Sequence, residues 1–291
     1  MNNSSILFII NPVSGVGKQK GIEKIIQEVA IRCKREFIIE YTKHAGHANA
    51  IAKESSNIKI DTIAIVGGDG SVNEVGKALI HSDSKLGIIP TGSGNGLARH
   101  LKIPSEIKQA IEIVFAGKQT LIDVGIFDEY VFLSTAGFGF DAKVAHEFAK
   151  QSKRGFSTYI KTVRKELFKY KAFEFSLNGE IHSEKAFMLS IANIPQFGNN
   201  FTINPNAAEN DGLLNCTLIK PFPKYKIPLI TSRFFKQSIH NSRYFREWID
   251  SRFELEVPQL LAHVDGEPIV LKNYRVNCKV EKSCLKIIVP S

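Results

Sequence analysis

Residues 62–80 read TIAIVGGDGSVNEVGKALI, and the three parts of that stretch set the fold. Thr62–Val66 is short, apolar and β-branched, the signature of a buried strand. Gly67–Glu74 (GGDGSVNE) is rich in glycine, and the spacing of Val72–Ile80 predicts a helix. Working outward, the same unit recurs. Strands are expected at Ser5–Ile10, Phe37–Tyr41 and Leu86–Ile89, with helices at Gly21–Arg32, Ala48–Ser55 and, after Pro104-Ser105, Glu106–Phe115. Alternation of this kind implies a parallel sheet covered by helices.

The alternation breaks near Gly117–Thr120, and strands then dominate. A hairpin is expected at Asp128-Glu129, between Val124–Ile126 and Tyr130–Ser134. A second is expected at Asn178-Gly179, between Phe173–Leu177 and Ala186–Ala192. Further strands are read at Leu214–Ile219, Phe253–Val257, Val276–Glu281 and Leu285–Val289, with helical stretches at Lys143–Tyr170 and Lys224–Gln237. The fold class is therefore an N-terminal α/β domain with a parallel sheet (1–120), followed by a C-terminal antiparallel β-sandwich or barrel with helical insertions (121–291). The last strand is free to return to the first domain.

Composition narrows the partners. An apolar share of 43% excludes general disorder, and the net charge is +9. The excess is concentrated: Lys143–Lys171 carries +7, Lys220–Arg246 another +7 with no acid, and the remainder sums to −5. That concentration favours an anionic membrane surface over nucleic acid, for which no recognition motif is present. The run Ile6–Ile10 is too short for a membrane span and lacks a signal peptide's basic flank, so the expected location is cytoplasmic with peripheral membrane association. Cys33, Cys216, Cys278 and Cys284 show no metal spacing and read as reduced thiols. His44 and His47 read as loop and helix-start polar groups, and Trp248 with Phe234-Phe235 as core.

Three strands end in loops suited to phosphate: NPVSGVGK (Asn11–Lys18), GGDGSVNE (Gly67–Glu74) and PTGSGNGLARHL (Pro90–Leu101). Glycine lets the backbone approach an oxyanion, and each loop opens a helix whose N-terminus favours negative charge. Neither the P-loop pattern nor G-x-G-x-x-G fits. Asp69, a carboxylate among phosphate donors, calls for a divalent cation to offset its repulsion, or else is a turn former.

These loops, with TAGFGFDA (Thr135–Ala142), PNAAENDGLLNCTLI (Pro205–Ile219) and HVDGEPI (His263–Ile269), resemble the lipid kinase family that includes soluble bacterial diacylglycerol kinases and the sphingosine and ceramide kinases. The resemblance spans nearly the whole chain. It implies ATP- and Mg2+-dependent transfer of a γ-phosphoryl group to the hydroxyl of a lipid substrate, diacylglycerol or sphingoid, in a cleft between the two domains. The alternative sharing GGDG is an NAD kinase-like soluble-metabolite kinase. By the resemblance, Asn11, Ser14, Gly15 and Thr42 contact the nucleotide. Gly67, Gly68, Asp69, Gly70 and Ser71 line the triphosphate with Glu74 in support, and Thr91, Gly92, Ser93 and Asn95 complete the cradle. Asp211 with the carbonyls of Ala208 and Leu213 holds a structural magnesium, Asp265 is the general base, and Glu267 joins the metal-linked acids. Asp69 is the competing base and the second metal ligand, and Asp141 stands where sphingosine kinases hold the headgroup. The family also contains homodimers. The third loop's GSGN is closer to the sphingosine and ceramide kinase wording than to GT-x-ND-x-AR.

Overall fold

The computed structural model describes residues 5–14, 21–151, 156–198 and 200–291. They form two compact units, 1–123 with 282–291, and 124–281.

The first unit alternates as its sequence requires: β1 (Ile6–Ile10), α1 (Ile22–Cys33), β2 (Phe37–Tyr41), α2 (His47–Asn57), β3 (Thr62–Gly67), α3 (Asp69–Leu79), β4 (Lys85–Pro90), α4 (Gly96–His100) and α5 (Ile107–Ala116). The strand order is β2-β1-β3-β4, every pair parallel, with Ile6 beside both Phe37 and Thr62. All five residues of β1 and all six of β3 are buried, which is why these apolar runs occupy the middle of the sheet. Helices cover it in two packed pairs, α1 with α5 and α2 with α3. Phe8 of β1 meets Phe115 of α5 with ring centroids 5.8 Å apart. Burial of a side chain of that size contributes roughly 1.5–3 kcal/mol. One boundary differs from expectation. α3 begins at Asp69, three residues before Val72, so Asp69, Gly70 and Ser71 form its first turn instead of a loop.

The second unit is a β-sandwich. Its elements are β5 (Lys118–Phe127, entering from the first unit), β6 (Tyr130–Phe132), β7 (Thr135–Gly139), α6 (Phe140–Ala149), α7 (Phe156–Leu167), β8 (Ser176–Leu177), β9 (Glu180–Ile181) and β10 (Met188–Ala192). β11 (Gln196–Gly198), β12 (Phe201–Thr202), β13 (Leu214–Ile219), α8 (Ile227–Phe235), β14 (Phe245–Asp250), β15 (Arg252–Glu256), β16 (Leu261–Val264), β17 (Glu267–Val270) and β18 (Arg275–Val289) follow. One antiparallel sheet runs β14-β13-β10-β7-β16-β17. Its apolar face supplies Phe138, Leu189, Ile191, Cys216 and Leu218 to a core completed by Phe127, Phe132, Phe253, Leu255 and Val276.

Four expectations are corrected here. The Asn178-Gly179 turn joins β8 to β9, and of the expected pairing with Ala186–Ala192 only the Phe173–Ala186 bridge forms. Both turn residues have positive φ (52° and 81°), and the two-residue hairpin closes on Glu180–Ile181, while β10 pairs with β7 and β13. Val276–Glu281 and Leu285–Val289 are one strand, β18. Its first half pairs with β15 and its end lies parallel to β4, with Ile287 beside Leu86. The Lys143–Tyr170 stretch holds two helices, α6 and α7. Phe234 is buried as expected, but Phe235 is 49% exposed.

All four cysteines are free thiols. Burial pushes the Cys216 and Cys278 thiols well above their ordinary range, and Cys284 is also buried. Thiolate is the reactive form. A thiol-specific reagent is therefore expected to label one cysteine rapidly in the native protein, the half-buried Cys33, and the other three only after unfolding. Rapid native labelling of Cys216 or Cys278 would contradict the packing of the sandwich.

Candidate functional site

In the first unit, the chain ends of β1, β3 and β4 meet. The Asn11 backbone N–H donates to the Val66 carbonyl, and its side-chain amide donates to Ser71 Oγ at 2.9 Å. The Ser14 hydroxyl shares a 2.9 Å hydrogen bond with the Thr91 hydroxyl, and the Thr91 N–H donates to the Gly67 carbonyl. Residues from all three expected loops are thus joined. The start of α3 lies in the middle of them, where a helix leaves its first N–H groups without intrahelical partners.

The second and third loops touch backbone to backbone. A Cβ on Gly92 would stand 2.6 Å from Gly68 Cα and 2.8 Å from Asn95 Oδ1, so only glycine fits there. Gly92→Ala is expected to force the loops apart and cost about 1–3 kcal/mol as overpacking does. Thermal unfolding checks this, and an unchanged melting temperature would refute the role of the close approach.

Asp69 has a role the sequence did not disclose. Its Oδ2 accepts the Asn95 N–H at 2.8 Å and its Oδ1 accepts the Gly96 N–H at 2.7 Å. Asn95 itself is left-handed (φ 51°) and donates its side-chain amide to the Gly92 carbonyl at 2.8 Å. The carboxylate is therefore not stranded among phosphate donors. It clasps the third loop to the second, each oxygen accepting one backbone N–H in a charge-assisted bond. Glu74 accepts the Gly46 N–H at 2.9 Å, tying α3 to the loop after β2, and the Thr42 N–H continues from β1 through the Ile10 carbonyl. Ser93 is exposed, Gly70 lies in the first turn of α3, and Gly15 falls outside the described residues. Arg99 turns back to donate to the Gly94 carbonyl.

In the second unit, Asp265 and Gly266 form the two-residue turn between β16 and β17, both with positive φ (50° and 80°). The Asp265 carboxylate accepts three backbone N–H bonds, from Leu133 and Ser134 at 2.8 Å and Thr135 at 2.9 Å. This anchors the turn to the β6–β7 corner and fixes the orientation of the carboxylate. Glu267 starts β17 with its side chain exposed. Asp141, at the start of α6, accepts its neighbour Ala142's N–H at Oδ1, and its Oδ2 lies 2.9 Å from Nε2 of His263. His263 is 1% exposed, under the Phe197 ring. Burial, with the Asp141 charge adding to it, pushes the Tyr170 phenol up, so Tyr170 remains a neutral donor. Asp141 thus enters the structure as half of a buried pair.

His263 belongs to a polar row that sequence reasoning missed. Thr217, Ser190, Gly137 and His263 are consecutive cross-strand neighbours on the six-stranded sheet, with Asn204 donating to Thr217 Oγ1 at 2.6 Å. Asn204, Thr217 and Ser190 are all fully buried, and α6 packs on the β7–β16–β17 side of this sheet. Alternating polar residues in a strand ordinarily mark a solvent face, so the sequence carried no signal of this burial.

The donor set at the remaining expected metal site is of hard oxygen type. Asp211 is exposed and its Oδ1 accepts the Leu213 N–H at 2.9 Å, which closes a turn over Asp211–Leu213. One carboxylate with carbonyls suits magnesium, which keeps several waters. Among the described residues, no three His, Cys, Asp or Glu side chains gather as a metal cage. His44 and His47 lie ring to ring at 4.9 Å, with His47 Nδ1 accepting the Lys43 N–H.

Residues 5–127 match the family described as diacylglycerol kinase catalytic domain, and residues 134–289 match the YegS C-terminal NAD kinase beta sandwich-like domain. The chain belongs to the YegS-like lipid kinase family. Proteins named "Probable lipid kinase YegS-like" are similar along most of its length. That of Yersinia enterocolitica is 29% identical over 84% of this chain and 88% of its own. That of Pectobacterium atrosepticum is 25% identical over 97% and 98%. A diacylglycerol kinase crystal structure from Bacillus anthracis shares the fold at TM-score 0.77 and 19% identity, covering 98% of this chain and 97% of that one. An Archaeoglobus fulgidus NAD kinase in complex with ATP matches at TM-score 0.52 and 12% identity over 97% and 93%. The three joined loops fall within the catalytic-domain match, and Asp265, Asp141 and Asp211 within the C-terminal match.

Proposed function

We propose that this protein uses Mg-ATP to phosphorylate a hydroxyl of a lipid, diacylglycerol or a sphingoid-type acceptor. The observation that carries this reading is the clasp of three loops through Ser14–Thr91, Gly68–Gly92 and Asp69–Asn95/Gly96. Within it the first turn of α3 and the Asn11, Ser14, Ser71 and Thr91 side chains would hold the triphosphate. A bound magnesium ion would neutralise charge on the phosphates with Asp69 as a ligand, and Asp211 would hold a structural ion. Phosphoryl transfer passes through a loose transition state, so the protein's part is chiefly positioning and a carboxylate that takes the hydroxyl proton. We assign that role to Asp265, whose three amide bonds hold it in one orientation. Asp141, held in place by the buried His263, would face the headgroup.

The likeness to an NAD kinase extends to fold alone, and a soluble acceptor is the alternative. The test is transfer of labelled γ-phosphate to a panel of diacylglycerol, monoacylglycerol, sphingosine and ceramide in mixed micelles, with NAD as the soluble acceptor. Magnesium-dependent label on a lipid is expected. Label on NAD alone would overturn the lipid reading, and it would then be expected without any micelle dependence.

A further inference from the structure

The segment Lys220–Arg246 contains seven Lys or Arg and no carboxylate. Two of the seven are used within the fold: Lys220 and Arg246 both pair with Glu184, at 2.9 and 2.8 Å. Lys224, Lys226, Arg233, Lys236 and Arg243 make no ion pair with a carboxylate among the described residues. Instead Lys224 lies 5.3 Å from the centroid of the Phe168 ring, and Lys226 and Arg243 lie over Tyr244.

Between these cations the surface is apolar and aromatic. Tyr225 is 78% exposed, Phe168 59%, Leu229 50% and Phe235 49%. α8 buries Ile230 and Phe234, while Tyr225, Leu229, Ser232 and Lys236 recur at helical spacing on the opposite side. A helix facing only water would carry polar residues there. This one turns a leucine and a phenylalanine outward and frames them with lysine and arginine, the arrangement of an interfacial helix, whose cations reach phosphate headgroups while its apolar residues enter the acyl boundary.

We propose that the outward face of α8, with Tyr225 and Phe168, docks the protein on an anionic lipid bilayer. Charge complementarity selects this occupant. A second copy of the chain would bring the same uncompensated cations face to face, and a neutral surface would leave them unpaired. The inference rests on the lipid acceptor proposed above only in giving the docking a purpose, and its test is independent of phosphoryl transfer.

Full-length protein would be sedimented with vesicles of phosphatidylcholine alone and of phosphatidylcholine with phosphatidylglycerol in equal parts. Wild type is expected to bind the mixed vesicles and to be released by salt. Each surface cation contributes about 1 kcal/mol to such binding, so Lys224→Gln with Lys236→Gln should weaken partitioning roughly 20- to 30-fold. Leu229→Ser with Tyr225→Ser should weaken it in both low and moderate salt, with thermal unfolding close to that of wild type. In the kinase assay, the variants should lose activity on vesicle-borne acceptor and keep it on detergent-dispersed acceptor.

Wild type that ignores anionic vesicles would overturn the proposal, as would charge-deleted variants that bind them equally well. So would light scattering that shows a dimer dissolved by Leu229→Ser. Salt-sensitive vesicle binding by a protein that phosphorylates no lipid would leave the docking face standing and remove the acceptor reading instead.

Discussion

Asp265→Asn should slow phosphoryl transfer by about 10²–10⁴ and lower the melting temperature together. An asparagine at this turn has one oxygen to offer the amides of Leu133, Ser134 and Thr135, all of which bond to the carboxylate in the structure. Whichever way the side chain turns, its NH2 group confronts at least one backbone N–H. Hydrogen bonds to charged groups contribute about 1.5–3 kcal/mol each, and an unmet donor costs a similar amount. A loss of roughly 2–4 kcal/mol is expected on that basis. Removing a positioned proton acceptor costs about 10²–10⁴ in rate on top of this. The two effects separate if kcat is measured well below the melting temperature, where the variant is folded. A folded Asp265→Asn enzyme within tenfold of the wild-type rate would confine Asp265 to anchoring the β6–β7 corner and return the base assignment to Asp69.

Asp69→Asn should act mainly on the nucleotide. The carboxylate spans the second and third loops by accepting from Asn95 and Gly96, and those bonds hold the left-handed Asn95 at the start of α4. Replacing one oxygen by NH2 loses one of the two bonds and opposes a second donor to it, for about 1.5–3 kcal/mol. The expected readout is a 10- to 100-fold weaker affinity for an ATP analogue by titration calorimetry, with the second unit's thiols as protected as in wild type. A fall in kcat with full affinity retained would instead place Asp69 in the chemical step.

The sequence by itself determined the strand–helix alternation of the first unit. Fully apolar runs such as Ile6–Ile10 and Thr62–Val66 have one stable place, the middle of a parallel sheet, and they are buried there. It determined the three glycine loops as well, because a strand that ends in glycine and reopens as a helix places its loop at the sheet's carboxyl edge wherever the sheet forms. The hairpin at Asp128-Glu129 was legible from two-residue turn chemistry.

What only the tertiary structure decided concerns partners distant in sequence. Nothing near Asp69 shows that its oxygens are taken by amides 26 and 27 residues on. Likewise nothing near Asp265 points to amides 130 to 132 residues back. Asn178-Gly179 announced a turn but not which strands it joins, since a hairpin of two-residue strands satisfies the same turn. The buried row of Thr217, Ser190 and His263 reads in sequence as a wet face, and becomes interior because other elements of the same unit cover it. Periodicity reports which side of an element differs from the other. Whether the polar side meets water, another helix or a lipid surface depends on what the rest of the chain brings against it.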